Sequence, residues 1–145
     1  MLKLESFLPY RLSLLSNQIS QGIAQTYEER FDLGVTEWRV IAILGRFPGI
    51  SATEVAEKSA MDKVAVSRAV RKLLEADRIQ RRSNDADRRA KHLFLSTAGQ
   101  AIYKAIEPAA LAYERRILDV LNDREKQVLD DLMDRLLIAT RRLQG

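Results

Sequence analysis

The chain contains no cysteine. That excludes disulfides, thiol redox sensing and cysteine-held metals together. It contains one histidine, His92, set in an apolar alternation that reads as structural rather than catalytic. No glycine-rich phosphate loop is present, and no set of metal-ligating residues clusters in sequence. The chain is therefore not expected to be an enzyme, and no cofactor or metal is implied. No run of about 18 apolar residues occurs, so no transmembrane helix is expected. The start, MLKLESFLPYRLS, lacks the unbroken apolar stretch of a signal peptide. With nothing directing it elsewhere, the expected compartment is the cytoplasm. Internal repeats and low-complexity segments are absent as well.

What is present fits one domain, or one domain with appended helices: 145 residues, 46% of them hydrophobic. The net charge is only +4, but it is unevenly placed. From Asp62 to Lys91 ten Lys/Arg face five Asp/Glu, a local excess of +5, and the remainder carries −1. A concentrated positive charge suits a polyanionic partner, most simply nucleic acid. A solvated basic face would give the same counts.

The pattern is mostly helical. Leu12, Leu15, Ile19, Ile23, Tyr27 and Phe31 recur at helical spacing and predict one helix over Pro9 to Phe31, about 33 Å long. Thr36 is a natural N-cap for EWRVIAILGRF, with Trp38, Ile41, Ala42 and Leu44 inward and Trp38 packed as core. Pro48–Gly49 breaks the chain. Ser51 and Glu54 fit a capping box ahead of a short helix. A tight connection at Ser59–Met61 leads to a helix from Asp62, whose inward stripe is Val66, Ala69, Val70, Leu73 and Leu74. Two strand-like segments, Ile79 to Arg82 and Lys91 to Leu95, flank a charged tip. Thr97 and Gln100 offer a capping box for a helix to about Leu121, kinked at Pro108. Asn122 to Glu125 caps the last helix.

A compact middle unit, residues 33–96, thus lies between amphipathic helices at 1–32 and 97–145. The middle unit is too small to bury every apolar stripe. A second copy of the chain is the simplest cover, with intramolecular packing as the alternative.

The helix pair joined at Ser59–Met61 is a helix-turn-helix candidate. Lys63, Ser67 and Arg71 recur every four residues on the polar face of its second helix, with Arg68 beside them. Arginine can grip guanine O6 and N7 with two hydrogen bonds, and serine can meet a base edge or phosphate. Val64 and Ala65 are small enough to let the helix start enter a major groove, where either could touch a thymine methyl. A hairpin directly after such a pair makes a winged helix. Its tip would lie by the DNA backbone or in the minor groove, which favours an inserted arginine. Asp87, two residues before Arg89, could hold that arginine extended and lower the entropy lost on binding. Arg88 would meet phosphate or solvent.

The stretch from Trp38 to Gly99 resembles the DNA-binding core of the MarR (multiple antibiotic resistance regulator) family of winged-helix transcription regulators, and the resemblance extends over the whole chain. DADRRAKHLFLSTAG is similar to the family's wing signature. The resemblance implies a mainly helical fold with a small hairpin, a winged helix-turn-helix at 33–96 and dimerisation helices at 1–32 and 97–145. It implies a homodimer on palindromic double-stranded DNA at the nucleoid. It implies that Asp87 braces Arg89, and that Lys63, Val64, Ala65, Ser67, Arg68 and Arg71 meet bases and phosphates. Many members release DNA when a small, often aromatic or phenolic, anion binds between the two regions. Tyr10, Arg11, Asn17 and Arg39 are candidate polar groups of such a pocket, although solvated or packed surface roles would satisfy them equally.

Three positions depart from the family pattern. Asp77 stands where glycine usually ends the recognition helix, which implies a strain of roughly 1 kcal/mol. Ala86 replaces a common proline. Val64–Ala65 replaces a frequent hydroxyl pair, so the bases read differ from those of relatives. The competing reading is a winged-helix protein-interaction module without DNA binding; salt-dependent binding to duplex DNA separates the two.

Overall fold

In the computed structural model of the chain, the backbone of residues 1–84 and 87–145 and the side chains of 1–83 and 91–145 are described. After a single 3-10 turn at Leu4–Ser6, the elements run α1 (Leu8–Ala24), α2 (Glu28–Phe31), α3 (Val35–Arg46), α4 (Ala52–Ser59), α5 (Lys63–Glu75), β1 (Ile79–Asn84), β2 (Asp87–Leu95), α6 (Thr97–Leu118) and α7 (Asp123–Gln144). The chain forms two compact units, Met1–Ala109 and Ala110–Gly145.

The core lies in the first unit. Val40, Ile41 and Leu44 of α3 pack with Val55 of α4 and with Val66, Val70 and Leu73 of α5. Ile79 and Leu93 close the core from the hairpin, and Ile102 and Ile106 close it from α6. Burying a Leu or Ile side chain of this kind contributes about 1.5–3 kcal/mol. The α5 stripe read from sequence is the buried one, save that Leu74 is only partly covered. Trp38 is half-buried against the core, between Tyr27 at 5.8 Å and Tyr103 at 6.2 Å (ring centroids).

Several local expectations shift. The predicted long first helix is two helices. It stops at Ala24, and α2 resumes after Tyr27, whose backbone (φ −134°) is not helical. Tyr27 is 1% exposed, so the break places this large ring in the core. The cap of α3 is Gly34, not Thr36, and the helix starts two residues earlier than EWRVIAILGRF. Ser96, not Thr97, caps α6: its Oγ accepts the Gly99 N–H at 3.0 Å. The strands are also longer than expected, β1 running to Asn84 and β2 starting at Asp87; the calls on residues 85 and 86 lie outside the described residues.

The capping boxes at Ser51/Glu54 and Asn122/Glu125 form as read. In the second unit α7 buries none of its residues, and Leu129, Leu132, Met133, Leu136 and Leu137 are exposed along it.

Candidate nucleic-acid interface

The helix pair is fixed by its connection. Ser59 Oγ donates to the Ala56 carbonyl at 2.9 Å and accepts the Met61 N–H at 3.3 Å. Ala60 turns the chain in the left-handed region, with φ +53°. Asp62 then caps α5, its Oδ2 accepting the Ala65 N–H at 3.3 Å. The short α4 and the longer α5 are thereby joined within three residues, as a helix-turn-helix requires.

On α5, Lys63, Val64, Ser67, Arg68 and Arg71 are all exposed on the side away from the core. None of these three cations is ion-paired among the described residues. Val64 is 55% exposed, an apolar side chain left open in the first turn of a basic helix. Ala65 differs from the rest: it is half-buried, and its amide is taken by the Asp62 cap.

The hairpin is antiparallel, with Ile79 opposite Leu95 and Ser83 opposite Lys91. The register then shifts, so that Asn84 pairs with Asp87. Residues 88–90 fall between those two pairs. The side chains of Asp87, Arg88 and Arg89 lie outside the described residues, and the proposed brace between Asp87 and Arg89 with them.

A third short segment joins the wing. Ile50 bridges Leu93: Leu93 N–H donates to the Ile50 carbonyl at 2.9 Å, and Gly49 N–H donates to the Leu93 carbonyl at 2.8 Å. His92 Nδ1–H donates to the Gly49 carbonyl at 2.8 Å, so the histidine fastens the wing to this loop. The sequence signalled only a chain break at Pro48–Gly49. Gly49 has φ +85°, which glycine adopts freely.

Where α5 ends, Asp77 adopts the left-handed conformation, φ +57°. Its carbonyl accepts Ser96 Oγ–H at 2.6 Å, and the Arg78 guanidinium donates to the Phe31 carbonyl. These bonds tie the end of α5, the base of the wing, α2 and the start of α6 together. Sequence reasoning also left Arg81 and Arg82 unassigned. Both are exposed on β1, and Arg82 stacks over the Phe94 ring at 4.6 Å.

The four candidate pocket residues do not form one site. Tyr10 and Arg11 line a shallow groove of about 370 Å³ with Glu5, Leu14, Leu15 and Gln18. Arg39 instead donates to Ser20 Oγ at 2.8 Å, and Asn17 is exposed outside the groove. A separate cavity of about 360 Å³ lies between the end of α3, the wing and α6, lined by Pro48, Arg82, Phe94, Gln100, Tyr103 and Lys104 among others. Among the described residues there is no group of three or more potential metal ligands, and no helix is long and apolar enough to cross a membrane.

Residues 31–90 match a family model described as the MarR family. A curated helix-turn-helix-type transcriptional regulator of Bacillus cereus, itself uncharacterised, is 28% identical over 127 residues, covering 87% of this chain and 84% of that one. The crystal structure of a MarR/EmrR family transcriptional regulator from Acinetobacter sp. ADP1 is 26% identical with a TM-score of 0.87, over 97% of this chain and 99% of that one. A MarR transcriptional regulator from Methanosarcina mazei shares the fold, with a TM-score of 0.82 at 19% identity, over 94% and 98% of the two chains.

Proposed function

We propose that the chain is a DNA-binding transcriptional regulator of the MarR type, acting as a homodimeric repressor released by a small anionic ligand; the match of residues 31–90 to that family's model and the similarity to transcriptional regulators over most of the chain support this reading. The observation that carries the reading is the row Lys63, Val64, Ser67, Arg68 and Arg71, open along one face of α5, with none of its cations ion-paired among the described residues. In this reading residues 33–96 are the winged helix-turn-helix, and 1–32 with 97–145 are the dimerisation region. Exposed leucines on both terminal helices, Leu12 and Leu15 on α1 and Leu129, Leu132 and Leu136 on α7, support a second copy as their cover. A two-fold dimer would set two α5 helices in successive major grooves, about 34–36 Å apart, on a palindromic operator.

Each wing would place Arg89 in the minor groove, with Asp87 bracing it and Arg88 at phosphate. A ligand that favours a dimer with the helices at the wrong spacing would lower operator affinity by shifting populations. The cavity beside Arg82, Phe94, Tyr103 and Lys104 offers an aromatic wall and two cations to such an anion. So partnered, the protein would work at the nucleoid, with no catalytic step.

The test is to select genomic fragments bound by the purified protein, then titrate the selected duplex by anisotropy at several salt concentrations. A steep negative slope of log K against log salt is expected. Arg89→Ala should weaken operator binding by about 1–3 kcal/mol. Binding that ignores salt would sink the DNA reading in favour of a protein-interaction module. Undiminished affinity in the Arg89 variant would sink the minor-groove role alone.

A further inference from the structure

Lys72 leaves the last turn of α5 but does not join the open basic row. Its Nζ lies 3.0 Å from Oε1 of Glu37, in the first turn of α3. The two partners are unequal: the lysine side chain is 61% exposed and the glutamate side chain 12%. A carboxylate so nearly buried needs a cation, because desolvation penalises it when alone. Exposed pairs of freely moving ends are worth little, and this one differs because one end is fixed.

The Glu37 carboxylate also folds back against Gly34. A Cβ on Gly34, the N-cap of α3, would run into the Glu37 carboxylate. Lys72 holds its proton more tightly than an ordinary lysine, first through its hydrogen bond to Glu37 and then through that carboxylate's charge. Among the described residues no other ion pair joins two separate elements. The α3 end of the link is itself anchored, because Arg39 donates to Ser20 of α1 and Trp38 packs on Tyr27.

We propose that Glu37 is a positioning residue for DNA recognition: through Lys72 it fixes the C-terminal turn of α5 to the start of α3, and so aims Lys63, Ser67, Arg68 and Arg71. Lys72 then makes no phosphate contact, because its charge is paired with the Glu37 carboxylate and its Nζ is held toward α3. The inference rests on the DNA-binding reading above.

The experiment uses the full chain with its selected operator and a scrambled duplex, titrated over a salt series well below the melting midpoint. K72M and E37Q should each weaken operator binding, K72M by roughly tenfold, as expected for coupled contacting residues. Affinity for the scrambled duplex and the salt slope should not change. The double variant should be no weaker than K72M, and K72R, which keeps the pair, should bind like the parent. If K72M flattens the salt slope by about one phosphate per protomer, Lys72 touches DNA and the inference is wrong. If K72M and E37Q only lower the melting midpoint and leave operator affinity intact, the pair is structural and the inference is equally wrong. A parent protein with no salt-dependent DNA binding would instead overturn the DNA reading on which it rests.

Discussion

Gly99→Ala is expected to cost the fold about 3 kcal/mol, from a single methyl group. Gly99 is the third residue of α6, and a Cβ there would overlap the Arg78 carbonyl oxygen and reach Leu95 Cδ2 at 3.4 Å. That carbonyl is held: it accepts the Ser96 N–H at 3.0 Å. Ser96 is held in turn, its Oγ donating to the Asp77 carbonyl at 2.6 Å and accepting the Gly99 N–H at 3.0 Å. Backbone cannot swing aside as a side-chain end can. Overpacking in such a place costs about 1–3 kcal/mol, and each displaced hydrogen bond adds about 1 kcal/mol. Alanine's helix preference over glycine returns at most about 1 kcal/mol.

For a chain of this length the net loss should lower the melting midpoint by roughly 10 °C. The assay is paired chemical and thermal denaturation at one protein concentration, since the melting of a dimer depends on concentration. Gly45→Ala is the internal comparison. Its Cβ would lie 2.6 Å from Cε2 of the half-buried Tyr103 ring, a side chain rather than backbone, so a smaller cost than that of Gly99→Ala is expected. If Gly99→Ala stays within about 0.5 kcal/mol of the parent, or costs less than Gly45→Ala, the close approach is not rigid and the reasoning fails.

Tyr27→Phe should be neutral or stabilising by up to about 1 kcal/mol near neutral pH, because the buried Oη has no hydrogen-bond partner among the described residues. Burial, and then the Glu28 charge, push the Tyr27 phenol up to about 12 from 10. Its folded form therefore holds the proton where the unfolded chain releases it. The parent should lose stability as pH rises from about 10 through 12, and the Phe variant should lose less, as denaturation at several alkaline pH values would show. Asp77→Gly relieves a left-handed residue at φ +57° and should raise the melting midpoint by a few degrees, up to about 1 kcal/mol. A lowered midpoint would mean that the aspartate side chain stabilises the turn.

Local signals were legible. A capping box acts over four residues, so Ser51/Glu54 and Asn122/Glu125 could be read directly. The polar face of α5 follows from helical period alone, because the stripe that packs leaves the opposite side for Lys63, Ser67 and Arg71. Where two caps of similar chemistry stood side by side, sequence could not choose. Ser96 and Thr97 both suit an N-cap, and the Asp77 carbonyl, nineteen residues away, favours Ser96 by accepting its hydroxyl proton.

The sequence by itself determined the helix-turn-helix, the hairpin after it and the site of the excess positive charge. Each depends on periodicity, caps or charge within a few residues. Only the tertiary structure decided the rest. It broke the first helix to bury Tyr27, added Ile50 to the wing through Leu93, and sorted the cations of α5 into an open row and one lysine held by Glu37. Lys72 and Arg71 are neighbours of the same charge on the same helix. What separates them is a carboxylate thirty-five residues upstream, brought alongside by the packing of α3 on α5.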